Sequence, residues 1–110
     1  MKILMVSSEA VPFAKTGGLA DAVSALAKNL SAKKHDVRII IPRYYHIDRS
    51  NLTLSERDVP VDMGGYEIHA DIYTAQLSGT KVSVYFIDYE QYFGRDGIYG
   101  QGEISDFHDN

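Results

Sequence analysis

The chain has 110 residues, 45% of them hydrophobic, and a formal net charge of −4 at neutral pH, enough for one small domain with a real core. The acidic balance excludes a general nucleic-acid binder, which needs a basic face. The lack of cysteine excludes a disulfide framework and a thiolate metal site. No apolar run approaches the roughly 20 residues that span a membrane, and the one after Met1-Lys2 is too short for a signal peptide. The expectation is a cytoplasmic protein with neither a membrane nor a nucleic-acid partner.

Lys2 to Ser7 reads as a buried parallel strand, apolar on both faces. Ser7 to Gly18 is a loop containing Pro12 and a glycine pair. From Leu19, the apolar positions Leu19, Val23, Leu26, Ala27 and Leu30 have helical spacing with one face inward. Asp21, Ser24 and Lys28 fall mostly on the other side. Ser31 to Asp36 is a polar connection, and Val37 to Ile41 is a second buried strand, stopped by Pro42. A strand, a helix and a strand joined this closely open a Rossmann-like α/β fold with a right-handed parallel crossover.

The middle of the chain changes character. Asp58 to Met63, Tyr66 to Leu77 and Lys81 to Ile87 are strand-like, and Gly64-Gly65 and Ser78-Gly79-Thr80 between them are hairpin turns. Tyr66, Ile68, Ala70, Ile72 and Thr74 alternate with Glu67, His69, Asp71 and Tyr73, which predicts one wetter face. The run ending at Ile87 is expected to return to the main sheet. Asp88 to Phe93 is a short helix or turn, and the chain from Gly94 onward is glycine-rich loop. One long helix cannot cover both faces of such a sheet, so the chain reads as the first part of something larger.

The chemistry concentrates at Lys15-Thr16-Gly17-Gly18-Leu19-Ala20-Asp21. A glycine turn between a strand and a helix exposes backbone N–H groups at the positive end of the helix, where an anion can sit. Lys15 adds a positive charge beside it and Asp21 a carboxylate one turn into the helix. Phosphate affinity next to a hydroxyl-binding acid suggests a phosphorylated or sugar-containing ligand.

The segment from Ser7 to Asp21, SSEAVPFAKTGGLAD, resembles the N-terminus of bacterial glycogen synthases and plant starch synthases. The resemblance continues through Val37-Arg38-Ile39-Ile40-Ile41-Pro42, Tyr85-Phe86-Ile87-Asp88, Tyr92-Phe93, Arg95 to Tyr99 and Asp109-Asn110, and so covers essentially the whole chain. It implies a GT-B-type glycosyltransferase of two Rossmann-like domains, with this chain as the first part of the N-terminal domain, carrying a β-hairpin insertion. The implied reaction is retaining transfer of glucose from ADP-glucose to the non-reducing end of an α-1,4-glucan. No cofactor is implied, the nucleotide sugar being a substrate, and no protein-bound metal. The rest of the N-terminal domain and the C-terminal domain, with its nucleotide pocket, are absent, so this stretch alone is expected to be inactive.

On that resemblance Lys15 reaches the distal phosphate of the nucleotide sugar and neutralises charge on the leaving diphosphate. A loop lysine on its own is ordinarily just solvated. Gly17 and Gly18 make a tight turn, let the backbone approach the phosphate, or do both. Asp21 recognises sugar hydroxyls, or is only a first-turn acid favoured by the helix dipole. Glu9 contacts the acceptor or is a structural loop acid. Tyr99 packs on the sugar or simply packs its loop. The glycines at 94, 97, 100 and 102 lack the strand-to-helix context of a phosphate loop. His46 with Asp48, and His69 with Asp71, are better read as surface residues than as metal ligands.

Departures from the commoner family pattern are Ala22 for Val, Ser24 for Gly and Ala27 for Pro, all expected to be tolerated, and Lys34 where a glycine usually ends the helix. If position 34 needs a positive φ, lysine costs on the order of 1 kcal/mol. The alternative function is a stand-alone Rossmann-like nucleotide- or phosphate-binding module without transferase activity. A dinucleotide module of that kind places an acid at the end of the second strand, where this chain has Pro42-Arg43-Tyr44. A third reading is a non-catalytic assembly domain, since unpaired edges and uncovered apolar faces would drive self-association of the isolated 110 residues.

Overall fold

The computed structural model describes residues 1–93. Tyr99, the segment Arg95 to Tyr99, the glycine-rich stretch from Gly94 and Asp109-Asn110 lie outside the described residues. Five strands form one mixed sheet in the order β1-β2-β5-β4-β3. β1 (Lys2–Val6) pairs in parallel with β2 (Asp36–Pro42), and β2 in parallel with β5 (Ser83–Asp88). β4 (Glu67–Gln76) runs antiparallel to β5, and β3 (Thr53–Asp62) antiparallel to β4. The hairpin insertion and the return of the last run to the main sheet are therefore as the sequence predicts. α1 (Gly18–Ala32) crosses from β1 to β2. A 3-10 turn at Arg49–Asn51 and a single helical turn, α2 (Glu90–Phe93), complete the described elements.

One face of the sheet carries the core. Val37, Ile39, Ile41, Val84 and Phe86 are buried, with Ile3, Met5, Leu30, Tyr73 and Ala75 packed around them. Phe86 is fully buried, and truncating such a side chain to alanine costs roughly 3–5 kcal/mol. The other face, with Leu4, Arg38, Ile40, Ile72 and Tyr85, is open. This corrects the reading of β1 as buried on both faces. Leu4 and Val6 are 60% and 79% exposed, because among the described residues no helix covers that side.

The inward face of α1 also differs from expectation. Ala20, Val23, Ser24 and Ala27 are buried, whereas Leu19 and Leu26 are largely exposed. Alanines at the contact let the helix lie close to the sheet, and the leucines flank the contact. Ser24 can be buried because its hydroxyl is satisfied: Oγ accepts from Val11 N–H at 2.9 Å and donates to Val11 O at 3.2 Å. β4 keeps its alternation: Ala70, which is buried, and Ile72 share one face, but Tyr73 stands opposite Phe86 and joins the core instead of the wetter face. β3 starts five residues before the expected Asp58, and two register shifts at Glu56 and Val59 break its alternation. Asp58 sits at the second shift with φ 54°, its N–H donating to Asp71. Aspartate tolerates that left-handed conformation better than most residues.

α1 ends in a Schellman motif. Lys34 N–H donates to Ser31 O and His35 N–H to Leu30 O, with Lys34 at φ 73°. The position that usually holds glycine does need the left-handed conformation, and lysine occupies it at a cost.

The C-terminal ends of β2 and β5 are tied by charge. Arg43, directly after β2, is buried, and its Nε donates to Asp88 Oδ1 at 2.9 Å. Arg49 donates to the other carboxylate oxygen of Asp88 at 2.8 Å, and both arginines reach Glu90. Burial alone pushes the Asp88 carboxyl up, but the hydrogen bonds from Arg49 and Arg43 outweigh it and hold the group below its ordinary value.

Two stability predictions follow from these features. Lys34→Gly raises the unfolding free energy by about 1 kcal/mol in urea titration, and an unchanged midpoint contradicts strain at that position. Asp88 has a lower pKa folded than unfolded, so its contribution is complete above its unfolded pKa of about 3.9. That contribution is lost as pH falls through the folded value. Asp88→Asn is therefore less stable at pH 7 and has a flatter stability profile below pH ~4. Parallel pH profiles for the two proteins would remove Asp88 from the acid response.

Candidate functional site

The loop from Ser7 to Gly17 leaves the C-terminal end of β1, the edge of a parallel sheet where α/β proteins place their ligands. Its shape follows from a set of internal bonds. Ser7 N–H donates to Ile40 O, continuing the ladder. Ser7 Oγ donates to Glu9 O at 2.8 Å. Ala10 and Ala14, both fully buried, exchange two backbone hydrogen bonds. The Val11–Pro12 peptide is cis. Phe13 meets Phe86 edge-on, with centroids 4.9 Å apart. Glu9 is buried, and its Oε1 accepts from Thr16 N–H at 2.6 Å. The contact it shows is thus a brace across the loop, beside Lys15.

Side chains from outside the loop complete the clamp. Ser24 of α1 holds Val11. Tyr44 Oη donates to Ser8 O at 2.8 Å, and His46 Nε2 donates to Phe13 O at 3.0 Å. The sequence reading singled out none of these as loop braces. The 3.6-residue period through Ala20, Val23 and Ala27 places Ser24 on the buried face and could have found it. Tyr44 and His46 carry no such signal, since their partners are backbone atoms 36 and 33 residues away.

Lys15 and Asp21 are brought together as an ion pair, Nζ to Oδ2 at 2.7 Å, with both side chains more than half exposed. A pair this exposed is worth under about 1 kcal/mol net, so an oxyanion of higher charge can take the lysine from it. Gly17 is the N-cap of α1, and among the described residues no side chain caps the helix N-terminus. Neither Gly17 nor Gly18 has a positive φ, and a methyl group built on either meets no heavy atom within 4 Å. Neither conformation nor packing among the described residues requires glycine there. What glycine leaves is bare backbone at a helix N-terminus, open to close approach.

The two His–Asp pairs separate in space and in role. His46 binds the loop, Asp48 accepts from Ser50 N–H, His69 lies 3.4 Å from Glu67, and Asp71 accepts from Asp58 N–H. Among the described residues no group of three or more His, Asp or Glu is spaced to hold a metal ion. A cleft of about 860 Å³ lies at the other end of the strands, between the end of α1 and the Ser78–Lys81 turn. It contains none of the residues above, so cleft size does not locate the chemistry.

Comparison with known proteins gives the family of the chain. Residues 2–110 match the family model described as the starch synthase catalytic domain. The glycogen synthase of Treponema denticola is 56% identical over 110 residues, which is all of this chain and 22% of that protein. A glycogen synthase of Moorella thermoacetica is 45% identical over 104 residues, 94% of this chain and 21% of that protein. The catalytic domain of starch synthase IV from Arabidopsis thaliana, solved bound to ADP and acarbose, superposes with a TM-score of 0.74 at 29% identity. That match covers 92% of this chain and 21% of the plant chain. The chain thus spans about a fifth of the length of these relatives, and it belongs to the starch synthase catalytic domain family.

Proposed function

We propose that this chain supplies the phosphate-binding and acceptor side of a glycogen synthase that transfers glucose, with retention, from ADP-glucose to the non-reducing end of an α-1,4-glucan. The observation that carries the reading is the pairing of Lys15 with an uncapped helix N-terminus whose two glycines leave the backbone bare. Both features present positive potential to one volume. The ADP in the plant relative supplies the ligand class that such a volume suits.

In this reading the α1 N–H groups at Gly17 and Gly18 receive phosphate oxygens. Lys15 leaves Asp21 for the distal phosphate and neutralises charge as the sugar–phosphate bond breaks. Asp21, released, accepts hydrogen bonds from sugar hydroxyls. Glu9 shapes the loop and borders the acceptor side, and Tyr99 packs against the sugar. The remainder of the N-terminal domain completes its sheet, and a C-terminal domain supplies the nucleotide pocket. The enzyme acts in the cytoplasm on soluble substrates, with no cofactor beyond them. A dinucleotide module is disfavoured by Arg43, which occupies the end of β2 with its side chain buried against Asp88. Expressed by itself, the chain self-associates through the exposed Leu4 and Val6.

In an enzyme of full family length carrying this chain, Lys15→Ala lowers kcat for glucan synthesis about 100-fold with little change in KM. An unchanged kcat removes Lys15 from the mechanism. Gly18→Ala separates site from fold: it leaves stability unchanged or higher by up to about 1 kcal/mol, and raises the KM for ADP-glucose about tenfold by obstructing the phosphate. Normal KM with normal stability would place the phosphate elsewhere.

A further inference from the structure

We propose that Tyr44 and His46, in the segment after β2, are positioning residues that set the place of Lys15 through the backbone of its loop. The inference rests on the reading of Lys15 as the group that stabilises the leaving diphosphate. Each side chain grips a backbone carbonyl of the loop that carries Lys15.

The loop has no regular structure between β1 and α1, and much of its length is fixed by side chains from elsewhere. Tyr44 is buried, and its hydroxyl donates to Ser8 O. Ser8 precedes Glu9, whose carboxylate accepts from the N–H of Thr16, the neighbour of Lys15. His46 donates to Phe13 O, two residues before Lys15, and its ring lies parallel to Tyr44 with an interplanar angle of 3°. One bond grips the loop before the Ala10–Ala14 bridge and the other within the turn that the bridge closes, so the first reaches Lys15 through Glu9 and Thr16 after it and the second through Phe13 before it. A shift of the 44–46 segment is therefore transmitted to Lys15 from both sides.

That segment is itself held in place. Arg43 Nη1 donates to Ile47 O at 3.0 Å while Nε binds Asp88, and Ile47 N–H closes a turn on Tyr44 O. Phe93 of α2 packs edge-on against Tyr44. The chain of contacts runs from Asp88 at the end of β5, through Arg43 and Tyr44–His46, to the loop and Lys15. Ser8 and Phe13 are only partly buried, so water can replace a lost donor at their carbonyls. The hydrophobic core is untouched by such a loss. Its effect falls on geometry, and a reacting group displaced by about 1 Å can cost about 100-fold in rate.

The test measures glucan synthesis from ADP-glucose by a full-length enzyme carrying this chain, with variants Tyr44→Phe, His46→Ala and His46→Gln, each also in a Lys15→Ala background. Tyr44→Phe keeps the ring and loses only the donor. Glutamine at 46 retains an N–H that can reach Phe13 O. The expected result is a fall in kcat of about 5- to 10-fold for Tyr44→Phe and His46→Ala, with KM for ADP-glucose within about twofold. His46→Gln recovers most of the loss. In the Lys15→Ala background the same substitutions change kcat by less than about twofold, because the group they position is gone. Equal falls in both backgrounds overturn the proposal, since the two residues would then act independently of Lys15. No fall in an enzyme that Lys15→Ala does impair overturns it as well. An unimpaired Lys15→Ala enzyme overturns the underlying reading, and the inference with it.

Discussion

The described fold depends on one carboxylate. Asp88 ends β5 on the core side of the sheet, next to buried Phe86, where an unpaired charge is untenable. It is tolerated because Arg43 and Arg49 each donate to a different oxygen, while Glu90 balances the second positive charge. A buried ion pair is weak evidence for net stability, since desolvation offsets much of the attraction. What this cluster does is fix geometry. The parallel ladder between β2 and β5 ends where Arg43 N–H donates to Ile87 O at 2.8 Å. Beyond that point the backbone has no strand partner among the described residues. The guanidinium takes over, holding the carbonyl of Ile47 and so the turn that carries Tyr44 and His46.

The site divides accordingly into buried braces and exposed chemistry. Glu9, Ser24, Arg43, Tyr44 and Asp88 are buried polar groups, each with a named partner. Lys15, Asp21, Gly17 and Gly18 are exposed. A polar group buried with its bonds satisfied has one arrangement available to it, because any other leaves a donor or acceptor unmet. Exposed groups exchange partners at little cost. A loop that must hold a lysine in place, yet let that lysine leave one carboxylate for another anion, needs both kinds.

The strand–helix–strand opening, both hairpin turns and the return of β5 to the sheet were legible because each rests on local signals: apolar runs of strand length, Gly64-Gly65 and the Ser78–Thr80 turn. The strain at Lys34 was legible from the family pattern, which usually has a glycine at that position, and the positive φ bears it out. The misreadings share a different cause. Leu19 and Leu26 have the hydrophobicity of core residues, but close helix–sheet contact favours Ala20 and Ala27. Ser24 looks solvent-facing until its partner at Val11, 13 residues back, is known. The start of β3 is hidden because its bulges break the alternation that betrays a strand. Leu4 and Val6 read as buried because apolarity marks a face that can be covered, not one covered within the described residues. In the site, the spacing of Lys15, Gly17, Gly18 and Asp21 is a local pattern and was readable. Arg43, Tyr44, His46 and Asp88 act over 33 residues or more, and no window of sequence joins them to their partners.

The Lys15–Asp21 pair shows how the exposed half of such a site can work. Asp21 lies in the first turn of α1, where the helix dipole favours an anion, and it also neutralises Lys15. A diphosphate arriving at the same end of the helix carries more charge than one carboxylate and can accept from the bare N–H groups and from Lys15 together. Its field also repels Asp21. In the proposed function, one binding event therefore turns the lysine towards the phosphate and frees the aspartate's oxygens to accept from neutral donors such as hydroxyls. The weakness of the exposed pair is what permits the exchange. A buried pair of the Arg43–Asp88 kind could not release its cation without leaving a charge unmet, so the proposed exchange needs an exposed pair, on a loop that the buried pair holds still.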